Sequence, residues 1–122
     1  MRFFIATLLA ATLAATVVPA YAHHANGPSF DEKKHVTLTG TVTKFIFRNP
    51  HPYLYFDVTE RNGQKTEWVI EFNGATIISK SKGWSKDTVK PGDVITATGR
   101  PSFVGHAMHV DVMTRGDGTK IY

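Results

Sequence analysis

Two adjacent histidines, His23 and His24, stand directly after Ala20-Tyr21-Ala22, a small-x-small triplet that closes an apolar run. Arg2 precedes that run, Phe3 to Val18 is apolar or small throughout, and Pro19 breaks it. The pattern is that of a secretory signal, and cleavage after Ala22 would make His23 the new amino terminus. A terminal histidine offers its α-amine and its ring nitrogen to one ion. One further imidazole completes a T-shaped, three-nitrogen set, which suits the tetragonal preference of copper(II).

The third nitrogen has several candidate sources. His51 lies between Pro50 and Pro52, whose rings fix the backbone and lower the entropy lost on ordering the side chain. His24 is the awkward choice beside His23, because neighbours on an extended arm point apart. His109 falls in the last expected strand and shares a face with Asp111 and Met113, while His106 and Met108 take the other face. A thioether on either face would suit copper(I). The expected metal ligands are therefore His23, His24, His51 and His109, and copper is the expected ion. The plain alternative is that the terminal histidines are a tolerated polar start, that His106 and His109 are strand-surface residues, and that His51 bonds a backbone carbonyl within its loop.

A second chemistry is aromatic. Tyr53 and Tyr55 alternate away from Leu54 and Phe56, which makes them candidates for an accessible ligand-binding patch, joined by Phe45, Phe47 and Trp68 if these are exposed. Most of the large aromatics, Phe56, Trp68, Phe72 and Trp84, are needed for the core of so small a domain. Nothing marks a catalytic set. Asp57, Glu67 and Glu71 have no evident partner at catalytic separation, Ser29 and Ser102 lack a strand-turn-helix setting, and the glycines are scattered over turns. A binding protein is expected rather than an enzyme.

The elements that must position these residues follow from period and punctuation. Residues 23–35 are polar and read as an extended arm. From Val36 the period becomes two, and this first strand runs on into Phe45-Ile46-Phe47, with Gly40 as the place to bend or bulge. Arg48-Asn49-Pro50-His51-Pro52 is a rigid loop. Tyr53 to Thr59 and Lys65 to Phe72 alternate as strands two and three around an Asn62-Gly63 turn. Ala75 to Lys82 lacks alternation and reads as a short helix with Gly83 near its C-terminal cap. Val94 to Thr98 is strand four, ended by Gly99-Arg100-Pro101, and Ala107 to Thr114 is strand five. Five twisted strands in one small domain tend to close, and a helix between the third and fourth fits an all-β, five-stranded OB-like barrel over 36–122.

Composition bounds the rest. Removing a leader of residues 1–22 from the 122 leaves 100, enough for one core, and no second apolar run follows, so no membrane span is expected in the mature form. The chain has no cysteine, which excludes thiolate metal sites and redox dithiols. Loss of Arg2 lowers the formal charge from +4 to +3, and the lysines are dispersed among acids. Nucleic-acid binding needs a clustered basic stripe, so no nucleic acid is expected as a partner.

Taken in order, His23-His24, Thr37 to Val42, Asn49-Pro50-His51, Gly83-Trp84 and Pro91-Gly92-Asp93 resemble the motif series of a family of small exported bacterial proteins of unknown function. The resemblance spans nearly all of residues 23–122 and implies an OB-like fold and export. In this chain Ala25-Asn26-Gly27-Pro28 separates the two histidines from Ser29-Phe30, where the family pattern runs straight on. The expected function is that of an exported, periplasmic or secreted, copper-binding protein with a possible protein partner in the periplasm. The alternative is a metal-free module that binds a small ligand or a protein through Tyr53 and Tyr55.

Overall fold

The computed structural model describes residues 29–122. The expected leader and the two histidines that follow it, His23 and His24, lie outside the described residues. The elements are β1 (Val36–Ile46), β2 (Tyr53–Thr59), β3 (Lys65–Glu71), α1 (Ala75–Lys82), β4 (Val94–Pro101) and β5 (Ala107–Arg115). The strands close in the order β1-β2-β3-β5-β4. All pairs are antiparallel except β3 with β5. The five-stranded OB-like barrel with one helix between the third and fourth strands is thus observed.

Closure depends on the length of β1. Its first half pairs with β4 from Val36↔Gly99 to Thr41↔Val94, and its second half pairs with β2 from Gly40↔Val58 to Ile46↔Tyr53. One strand serving two neighbours must curve. Gly40 sits at that corner, where a Cβ would meet the Asp57 carbonyl and the Phe56 ring. The bulge itself comes later, at Thr43, where the register against β2 slips between Val42 and Lys44.

Alternation supplies the interior. Leu54, Phe56 and Val58 of β2, Ile70 of β3, Ile95 and Ala97 of β4, and Met108, Val110 and Met113 of β5 are buried in one cluster with Val42. An aromatic group closes the side nearest α1: Phe72 lies 5.3 Å from both Trp84 and Tyr122, centroid to centroid. The Trp84 Nε1 donates to the Ile121 carbonyl at 2.9 Å, which satisfies the one polar atom of a buried indole. The helix stops as expected at Gly83, whose φ of 70° only glycine takes easily.

Three expectations are corrected. β4 does not end at Thr98 but continues through Gly99-Arg100-Pro101. Glycine there permits close approach to the His109 backbone, and Pro101 still contributes its carbonyl, which accepts from the Asp31 N–H at 2.8 Å. Met113 does not share a face with His109 and Asp111. The β4–β5 register skips Asp111, so that residue is the extra one of a bulge, and the alternation reverses beyond it. Met108 and Met113 are both fully buried, so neither offers sulfur to a surface site. Finally, Phe45 and Phe47 form no stacking face with Tyr53 and Tyr55: both pack against the core cluster, Phe45 against Phe72 and Trp84, and Trp68 packs there too, as its core reading expects.

Candidate functional site

Strand register assembles one row of polar side chains across the outer face. Tyr53 of β2 pairs with Glu71 of β3, Glu71 with His109 of β5, and His109 with Arg100 of β4. Adjacent strands lie about 4.8 Å apart, so each side chain in the row reaches the next.

At one end is His51, in the loop between β1 and β2. Its Nδ1 is 2.7 Å from the Phe72 carbonyl oxygen and 3.4 Å from Glu71 Oε1. A carbonyl can only accept, so Nδ1 carries the proton and donates it. In the neutral ring Nε2 then holds a lone pair, with no protein partner among the described residues. Histidines that bind metals are commonly oriented in this way, through the remote N–H to a carbonyl or carboxylate. The same bond also ties the loop to β3, as the non-metal reading of His51 expects. Tyr53, next in the row, is half-buried; burial first, and then the charge of Glu71, raises its phenol pKa and keeps it a donor at neutral pH. Tyr55 projects from the same side of β2 with the Lys44 ammonium 5.5 Å from its ring centre.

The other end is closed. Arg100 Nη1 donates to both oxygens of Glu32, at 2.6 and 2.8 Å. Its Nη2 lies 3.3 Å from Asp111 Oδ1 and donates to His109 Nδ1 at 2.9 Å. A guanidinium has no lone pair to give, so His109 Nδ1 must accept and its proton sits on Nε2. Burial, followed by the Arg100 charge, lowers the His109 pKa and favours this neutral form. The expectation of His109 as a metal ligand does not fit: one nitrogen is taken by Arg100 and the other bears hydrogen. The bulge at Asp111 turns that carboxylate to Arg100 and to His35, whose Nε2 is 3.2 Å away. His106 is elsewhere, exposed, with its ring 5.3 Å from Trp68.

The arm joins the barrel at this closed end. Phe30 bridges to Ser102, the Phe103 N–H donates to the Ser29 carbonyl at 3.3 Å, and the Phe30 ring meets His109 edge-on at 5.7 Å. Among the described residues no group of three or more histidines and carboxylates converges on a metal position. Of the expected ligands the structure therefore places His51 and His109 on one face but offers only His51 with an available nitrogen. Glu71 and Arg100, which flank these two rings, were not expected at the site. Glu71 meets His51 where the β1–β2 loop packs on the end of β3, and Arg100 meets His109 through the antiparallel β4–β5 register.

A family model for a family of unknown function (DUF6152) matches residues 10–111. The chain belongs to that family. The DUF6152 match includes His23, His24, His51 and His109. No curated protein matches the chain in sequence. Among solved structures, the DUF6152 barrel is similar to two crystal forms of the mitochondrial single-stranded DNA binding protein Rim1 of S. cerevisiae. One has a TM-score of 0.53 at 10% identity and covers 68% of this chain and 94% of that one. The other has 0.52 at 10% identity and covers 68% and 92%. At such identity the likeness shows the fold alone. Among the described residues no helix is long and apolar enough to cross a membrane.

Proposed function

We propose that this chain is exported, is cut between Ala22 and His23, and binds copper with its new amino terminus and His51 as ligands. The carrying observation is the state of His51. Its Nδ1 is held by the Phe72 carbonyl at 2.7 Å with Glu71 behind it, and Nε2 has no partner among the described residues. A pre-oriented imidazole loses little entropy when it takes a metal.

Chain length supports the arrangement. Residues 23–28 can span up to about 20 Å at roughly 3.4 Å each. The path from His109, beneath Phe30, to the β2 column is two strand spacings, about 10 Å. His23 can therefore bring its amine and ring to His51, with His24 beside it. Copper(II) is the ion such nitrogen donors favour. Metal carriage or delivery to a protein partner in the periplasm is the corresponding role. Nucleic acid has no part in this reading: Asp57, Glu67, Glu71 and Asp111 point outward on the strands of this face, where they oppose phosphodiesters.

Calorimetric titration of the chain beginning at His23 with copper(II) tests the proposal. One residue added before His23 should lower the affinity at least about tenfold, because it removes the amine from the chelate. Unchanged affinity would remove the terminal chelate. A second reading rests on Tyr53 and Tyr55, both partly exposed on one side of β2: a metal-free patch for a small ligand or protein. Loss of a screened ligand on Tyr55→Ala, with copper binding intact, would favour it.

A further inference from the structure

The loop that carries His51 has a second side. Phe47, Arg48 and Asn49 lie against α1, and the two segments enclose an open cleft of about 340 Å³. Asn49 fixes its shape: Nδ2 donates to Thr76 Oγ1 at 3.1 Å, and Oδ1 accepts from the Thr76 N–H at 3.4 Å. Phe47 and the buried Ala75 give it an apolar wall. Ser79 and Lys80 follow Thr76 by three and four residues, so all three share one side of the helix. The charge in the cleft is of one sign. Arg48 and Lys80 line it and no carboxylate does. Among the described residues neither cation forms an ion pair that would hold it away from a ligand.

We propose that this cleft binds a small organic anion, a carboxylate on an apolar body. The carboxylate sits between the Arg48 guanidinium and the Lys80 ammonium, and the body lies on Phe47 and Ala75. Two unpaired cations in a concave wall raise the local concentration of anions. A guanidinium meets a carboxylate through two parallel hydrogen bonds. The apolar wall then separates organic acids from inorganic anions, and a volume near the lower end of ligand sites suits one ring or a short chain. The site lies apart from the outer row and needs no metal.

The test is an amide NMR titration of the metal-free chain with benzoate, with methyl benzoate and inorganic phosphate as parallel arms. Benzoate should give saturable shifts at Asn49, Thr76, Ser79 and Lys80, and the ester and phosphate should give weaker ones. The double variant R48A/K80A, altered only at exposed positions, should weaken benzoate at least about tenfold, with the amide signals of Leu54 and Phe56 unmoved. No saturable shift with millimolar benzoate would overturn the proposal. Equal response to the ester would overturn the role of the cations, and equal response to phosphate that of the apolar wall. Because no copper is present, either result leaves the terminal-histidine reading to its own experiment.

Discussion

The two ends of the outer row each hold a histidine, and their rings are in opposite states. His51 meets a group that can only accept, the Phe72 carbonyl, so Nδ1 carries hydrogen and in the neutral ring the far nitrogen holds the lone pair. His109 meets a group that can only donate, the Arg100 guanidinium, and so has its lone pair taken. Both belong to one barrel face, with Glu71 between them. Residue type made both candidates for a metal; the hydrogen-bonding sense of a single neighbour separates an open imidazole from a closed one.

The strongest way to break the comparison is to remove the closed end. In Gly99→Ala the added methyl would strike the His109 backbone carbonyl, which cannot swing aside as a side chain would. We expect a loss of about 2–4 kcal/mol in denaturant unfolding, because the bulge that aligns Arg100 with His109 cannot form. A variant as stable as the parent would show that this register is not required.

The open end is probed by metal affinity. His51→Ala should lower copper(II) affinity at least about tenfold, and Glu71→Gln about tenfold through poorer orientation of the ring. His109→Gln should leave it within about twofold, the margin of an uninvolved side chain. Equal losses at 51 and 109 would erase the distinction between the ends.

Smaller effects sharpen it. Arg100→Lys keeps the charge but loses the fork that spans Glu32, Asp111 and His109, and should cost about 1 kcal/mol. The pH dependence is smaller again. The His109 pKa is lowered in the fold by burial and Arg100, while the unfolded ring titrates near about 6.5. Between those values the unfolded chain binds the extra proton. Its contribution is thus fully present above about pH 6.5 and is lost as pH falls toward the folded value. His109→Gln should flatten that part of the stability–pH curve; an unaltered slope would assign it to other groups.

The barrel was legible because alternation is local. Tyr53 to Thr59 and Ala75 to Lys82 are found where period and punctuation placed them. The bulges at Thr43 and Asp111 were not, since an extra residue exists only relative to a partner strand. That is why Met113 was assigned to the wrong face. Gly99-Arg100-Pro101 looked like a stop because glycine and proline usually punctuate; here the glycine serves close strand approach. At the site, His51 stood out through its two prolines. The roles of Glu71 and Arg100 depend on the β1–β2 loop folding onto the end of β3 and on the β4–β5 register, contacts with no local signature.

The most direct measurement is paramagnetic broadening of the histidine ring signals as copper(II) is added to the chain that starts at His23. The His51 signals should vanish at substoichiometric copper while those of His109 persist. Broadening of His109 first, or of neither ring, would contradict the copper proposal.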